Sequence, residues 1–304
     1  MSHLLSFASH DRKFLNEIFS LAADLKSKQK NGVPHRYLEG KTLAMIFEKS
    51  STRTRVSFET GIFQLGGQAL FLSPGHIQMG RGEPISDTAR VLSRYVHIIM
   101  IRTFGQDIVE EFSRWSSMPV INGLTDKYHP CQVLADVFTA YEYFGTIEGK
   151  KVAWIGDGNN MANSWIEAAC KWDFKLKLAC PENYEPDPDV LNEAAKAGAD
   201  IELTRDPLKA AEGAHVINTD VWLSMGMEGQ EETRKKIFKN YQVNDDLMKK
   251  ADSKAIVMHC LPAHRGEEIT TDVFEKYSNV IFDQAENRLH VQKAIMVLLM
   301  GAIK

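Results

Sequence analysis

Four cysteines in 304 residues, none paired as CxxC, are too few and too scattered for a disulfide frame; Cys131, Cys170, Cys180 and Cys260 read as reduced thiols. Cys170 and Cys180 stand in apolar surroundings and are expected in the core. No apolar stretch approaches the ~18 residues of a membrane span. The opening Met1-Ser2-His3-Leu4-Leu5-Ser6-Phe7 has neither the basic nor the long apolar region of a signal peptide, and Asp11 and Glu17 argue against a transit peptide. A cytoplasmic location with no membrane partner is the expectation. An excess of positive charge is missing too. The net charge of −4 argues against nucleic acid as a partner and requires any anion site to be local. There are no internal repeats and no low-complexity tract.

What is present is an alternation of short apolar runs and helical periodicity. Runs stand at Leu43–Phe47, Ala69–Leu72, His97–Ile101, Pro119–Ile121, Val152–Ile155, Leu176–Cys180, Ile201–Leu203, His215–Asn218, Ala255–Met258 and Val280–Phe282. Helical spacing fills most gaps, as in 11–30, 56–65, 88–95, 132–144 and 162–172. Strands separated by helices predict α/β architecture with parallel sheets. The length and two such series predict two domains, each a parallel β-sheet flanked by helices and linked by interdomain helices. The spans expected are 1–130 and 145–288, with a C-terminal helix over 289–304 packing back on the first domain. Pro181–Asp189, with three prolines, reads as a surface loop, and Met225–Glu232 as a mobile one.

The strand at 42–47 runs into Ser50-Ser51-Thr52-Arg53-Thr54-Arg55 and then a helix. A helix start leaves N–H groups without intrahelical partners and is electropositive. Hydroxyls and guanidinium forks added there suit a small, highly charged phosphate compound. In parallel α/β sheets ligands bind beyond the carboxyl ends of strands, and other polar clusters occupy such places. They are Arg102-Thr103, His129-Pro130-Cys131-Gln132, Gly156-Asp157-Gly158-Asn159-Asn160, Asp220-Val221-Trp222-Leu223-Ser224-Met225-Gly226, His259-Cys260-Leu261-Pro262 and Asp283–Arg288. The glycine pair at 156 and 158 invites a dinucleotide reading, but Met161 stands where the third glycine would be. His129 and Gln132 at one helix start could both donate to a single carbonyl oxygen. Cys260 is open to three readings: a small buried hydrophobe, a metal ligand with its neighbours His259 and His264, or a nucleophile. The set lacks a second cysteine at zinc spacing, so no metal and no cofactor are expected.

Taken together, Ser51-Thr52-Arg53-Thr54-Arg55, His129-Pro130-Cys131-Gln132, Asp220 to Gly226 and His259-Cys260-Leu261-Pro262 resemble the transcarbamylases along essentially the whole chain. Within that family they resemble the ornithine-directed branch, because aspartate-directed members carry His-Pro-Leu-Pro and a basic loop where this chain has Cys260 and Ser-Met-Gly. Cys131 departs from the usual small hydroxyl or aliphatic residue. The resemblance implies transfer of the carbamoyl group of carbamoyl phosphate to the δ-amine of ornithine, giving citrulline and phosphate, within arginine biosynthesis. It implies that Ser51, Thr52, Arg53 and Thr54 hold the phosphate, with Arg55 supporting the turn. Arg102, His129 and Gln132 would contact the carbamoyl group, Arg288 the same ligand, and Gln78 would come from a neighbouring subunit of a homotrimer or a multiple of trimers. Asn160, Asp220, Ser224 and Met225 would hold the α-amino and α-carboxylate groups of ornithine. Cys260 and Leu261 would face the reacting amine and carbamoyl group; Arg102, His129 and Cys260 form the implied catalytic set. Competing expectations are a transcarbamylase for putrescine or N-acetylornithine, a non-catalytic ligand sensor and, weakest, a dehydrogenase.

Overall fold

The structure is a computed structural model that describes residues 2–73, 82–223 and 229–302. The chain forms two compact units, Met1–Leu134 with Asn287–Lys304, and Ala135–Glu286. The first contains α1 (Arg12–Lys30), β1 (Thr42–Phe47), α2 (Thr52–Gln64), β2 (Gln68–Leu72), α3 (Ile85–Leu92), β3 (Ile98–Arg102), α4 (Gln106–Trp115) and β4 (Val120–Leu124), and α5 (Pro130–Phe144) begins in it. Its four strands are parallel in the order β2-β1-β3-β4. β1 and β3 are buried at every position. Strands covered by helices on both faces need apolar residues throughout, which is why Leu43–Phe47 and Ile98–Ile101 are unbroken apolar runs. Ala44, Ile46, Ile99 and Ile101 pack with Val109 and Phe112 of α4.

The second unit holds β5 (Lys151–Ile155), α6 (Asn160–Ala169), β6 (Lys175–Ala179), α7 (Pro188–Lys196), β7 (Ile201–Thr204), α8 (Pro207–Ala211), β8 (Val216–Thr219), α9 (Glu231–Phe238), α10 (Asp245–Met248), β9 (Ile256–His259) and α11 (Thr271–Lys276). Its sheet is parallel, ordered β7-β6-β5-β8-β9. α7 and α8 each open with proline behind an aspartate cap, Asp187 and Asp206. Proline at the first helical position loses no hydrogen bond, and the carboxylate satisfies the exposed N–H groups.

One expected strand does not exist. Val280–Phe282 lies in the opening turns of α12 (Ser278–Leu299). Three apolar residues cannot by themselves separate a strand from a buried helix turn. The C-terminal helix expected over 289–304 is therefore the second half of α12, which ends at Leu299.

In each sheet the strand order reverses once beside the first strand, between β1 and β3 and between β5 and β8. A crevice for ligands opens at the carboxyl ends of strands at such a reversal. Glu48 to Arg53 and Thr103 stand at the first, and Gly156 to Asn159 and Asp220 at the second.

Candidate active site

In the first unit Ser51 caps α2, its Oγ accepting from the Thr54 backbone N–H at 3.2 Å. Ser51 Oγ also donates to Thr54 Oγ1 at 3.1 Å, and Thr54 Oγ1 accepts from Arg288 Nη2 at 2.8 Å. Arg288, on α12, is thereby tied to the start of α2. Arg102 ends β3, where Ile101 pairs with Asn122 but Arg102 with Leu124. Gly123 is the extra residue of this bulge, and a Cβ there would lie 2.5 Å from Met100 Sδ. Bulges re-aim the side chain beside them, and Arg102 is carried into the cluster at the strand end. His129 precedes Pro130 and opens α5; its carbonyl accepts from Gln132 and Val133. Arg102, His129, Gln132 and Arg288 are all buried.

Burial, and after it the charges of Arg288, Arg102 and Arg53, hold the His129 imidazole well below its usual range. The ring is a neutral donor surrounded by three guanidinium groups, an arrangement that accommodates an oxyanion. This has a consequence for stability. The unfolded chain protonates His129 below pH 6.5 while the folded chain does not. Stability is full above that pH and falls as the solution is acidified through it. His129→Gln should flatten the Tm-against-pH curve on the acid side, measured by thermal melts from pH 7.5 to 5.

Thr52 is exposed, and Arg55 points away from the cluster. The Arg55 guanidinium lies 3.9 Å over the Phe71 ring and Nε donates to Glu59 at 3.1 Å. Two residues that sequence reasoning passed over brace the loop. Glu48 accepts from the Thr103 hydroxyl, and the buried Lys49 pairs with Asp126 while its ammonium sits 4.3 Å over the Phe104 ring. Cys131 donates to the Asn122 carbonyl at 3.4 Å, and burial pushes its thiol up to about 12.

The second unit assembles a different chemistry. Asp220 follows β8 and Cys260 follows β9. Cys260 Sγ donates to Asp220 Oδ1 at 2.9 Å, Val221 N–H donates to the same oxygen at 2.8 Å, and Asn159 Nδ2 donates to Oδ2 at 3.1 Å. Asn159, which precedes the expected site residue Asn160, bridges to Asp220. It also caps α6, accepting from Met161 and Ala162. Leu261 takes a left-handed φ of 59°, rare for a side chain of its size, and its N–H turns back to His259 Nδ1 at 2.9 Å. His259 Nε2 lies 2.9 Å from Glu268 Oε1. Asp220, His259 and Cys260 offer atoms within 4.8 Å of one another, but both ring nitrogens of His259 are engaged, leaving a poor ligand set for an ion.

The glycine turn serves the protein's own chain. A Cβ on Gly158 would lie 2.2 Å from the backbone of Glu185 and Pro186. With Asn159 filling the N-terminus of α6, the place a pyrophosphate takes in a dinucleotide fold is occupied.

The structure therefore sorts the expected site residues into two sets. Ser51, Thr52, Arg53, Thr54, Arg102, His129, Gln132 and Arg288 belong to the first unit, and Asn160, Asp220, Cys260 and Leu261 to the second. Gln78, Ser224 and Met225 lie outside the described residues.

One parallel α/β unit thus ends in a cationic cluster, and the other in a carboxylate–thiol cluster. The family pattern for the carbamoyl-P binding domain of aspartate/ornithine carbamoyltransferases matches residues 2–142, and that for the Asp/Orn binding domain matches residues 148–299. The chain is 57% identical over 299 residues to an ornithine carbamoyltransferase of Geobacter metallireducens, covering 98% of this chain and 99% of the relative. It is 53% identical to one from Archaeoglobus fulgidus, covering 99% and 98%. Among solved structures, the ornithine carbamoyltransferase from Pyrococcus furiosus superposes with a TM-score of 0.95 at 52% identity, covering 99% of this chain and 98% of that one. The chain belongs to the aspartate/ornithine carbamoyltransferase family.

Proposed function

We propose that the chain is an ornithine carbamoyltransferase, moving the carbamoyl group of carbamoyl phosphate to the δ-amine of L-ornithine to give citrulline and phosphate. The observation that carries this reading is the convergence of Arg53, Arg102 and Arg288 on one neutral imidazole at a strand-order reversal. Carbamoyl phosphate is a mixed anhydride with an electrophilic carbon. The amine attacks that carbon, a tetrahedral intermediate forms, and phosphate leaves. Charge grows on the carbonyl oxygen and on the leaving group, and fixed donors at both places lower the barrier. Thr54, Arg102 and His129 serve the oxygen, with Gln132 beside His129. Arg53 serves the phosphate with Ser51, Thr52 and the start of α2, and Arg288 completes the cationic ring.

The amine attacks only when neutral, whereas a lysine-like amine has a pKa of about 10.4. Desolvation beside Cys260 and Leu261 lowers it. Asp220 takes the α-ammonium, with Asn160, Ser224 and Met225 completing the amino-acid subsite. An acylated α-nitrogen would leave Asp220 without its cation, which disfavours N-acetylornithine, and putrescine has no α-carboxylate to hold.

Cys260, which donates to Asp220, orients the amine in this reading and forms no covalent intermediate. Cys260→Ser should keep turnover within about one order of magnitude, because a hydroxyl donates as the thiol does. A carbamoyl-thioester trapped by acid quench and mass spectrometry would reverse that assignment. The reading extends to a cytoplasmic homotrimer, or a multiple of it, acting in arginine biosynthesis, with Gln78 supplied to a neighbouring subunit's site.

The test is citrulline formation by the purified chain, with ornithine, putrescine, N-acetylornithine and aspartate offered separately and Arg53→Ala as control. Preference for any amine other than ornithine would overturn the reading.

A further inference from the structure

Arg234 stands in α9 among Glu231, Glu232, Lys235 and Lys236, yet it is only 4% exposed while the flanking lysines face solvent. Its Nε donates to the Trp222 carbonyl and its Nη2 to Asp157 Oδ2. The guanidinium lies 4.8 Å over the Tyr184 ring and 5.0 Å over Phe238. Asp157 ends the turn after β5, where Trp154 Nε1 donates to its carbonyl at 2.8 Å. Its carboxylate is within electrostatic reach of Asp220, the group assigned above to the substrate ammonium. Of these two buried carboxylates, Asp157 is the one that Arg234 pairs with. From the geometry we infer that Arg234 is a positioning residue for the amino-acid substrate: it neutralises Asp157, so that Asp220 is left with one charge for which the substrate's α-ammonium is the partner. This rests on the function proposed above.

Among the described residues, several groups face this pair, His259 within 4.8 Å of Asp220 among them. Arg234 comes from α9, Asp220 from the end of β8, Cys180 from the end of β6 and the Tyr184 ring from the following loop, while Cys260 and Asn159 bond Asp220 itself. Burial raises the Asp157 carboxyl to about 6, with Arg234 opposing the rise and Asp220 adding to it. Without the guanidinium, two adjacent carboxylates would retain a proton to higher pH.

The experiment is steady-state kinetics on the full chain at saturating carbamoyl phosphate with ornithine varied. Arg234→Gln should raise the ornithine KM by at least about tenfold and move the acid limb of kcat/KM to higher pH. The Kd for carbamoyl phosphate, measured by calorimetry, should not change. Asp157→Asn should also raise the ornithine KM, because Arg234 then competes with substrate for Asp220. The double variant, with charge balance restored, should return the KM toward the wild-type value. A guanidinium needed only for packing gives no such rescue, so a double variant as impaired as Arg234→Gln overturns the inference, as does an unchanged ornithine KM in the single variants. If Arg234→Gln does not fold, Asp157→Asn against the double variant carries the same comparison. A wild-type chain that forms no citrulline would instead sink the functional reading.

Discussion

Replacing Arg53 by lysine should lower kcat/KM for carbamoyl phosphate by roughly 10²–10³-fold, the loss that follows removal of one fixed donor to a developing charge. The alanine variant should be only slightly worse. Arg53 stands in the first turn of α2, where the helix start supplies backbone donors and Ser51 fixes the entry angle. A guanidinium there can offer two donors to two phosphate oxygens at once, whereas an ammonium is a more strongly hydrated point charge that cannot reproduce the fork. Steady-state rates with carbamoyl phosphate varied, for both variants, provide the check. A lysine variant with near wild-type kcat/KM would mean that charge alone suffices and that the planar contact is irrelevant.

Asp220→Asn should be nearly as damaging, but toward the other substrate. The carboxylate is buried and receives three donors, Cys260, Val221 and Asn159, so its orientation is fixed before any ligand arrives. Breaking a buried ion pair by removing one partner costs roughly 3–5 kcal/mol. The expected result is a fall in kcat/KM for ornithine of at least about 10²-fold at unchanged carbamoyl phosphate affinity. Discrimination against N-acetylornithine should narrow in the same variant, because an amide in place of the carboxylate no longer penalises an uncharged α-nitrogen. Parallel assays with both amines test it; equal losses for the two would show that Asp220 does not read the α-substituent.

Much of this architecture could be read from residue order because buried parallel strands declare themselves. Nine of the ten apolar runs became strands, each framed by residues that favour turns or helix starts. The failure at Val280–Phe282 came from the same rule, since a short apolar run inside a long buried helix looks identical. The clusters at strand ends were legible where their polar residues sit next to a strand in sequence: Ser51 to Thr54, Arg102, His129, Asp220 and Cys260. They were not legible where burial is decided by distant packing. Nothing in Glu231-Glu232-Thr233-Arg234-Lys235-Lys236 separates the enclosed arginine from its solvated neighbours, and Asp157 looks like one more turn residue between two glycines.

The path of the chain has a further consequence for biogenesis. Arg288 bonds to Thr54 across 234 residues of sequence, and the unit that contains both is interrupted by the whole of the other. A ribosome that has made the first 286 residues has therefore produced every described strand of both sheets, yet the cluster at the start of α2 still lacks Arg288. The contact between Arg288 and Thr54 forms only once α12 has been made, so the cluster at the start of α2 is completed after the chain of the second unit.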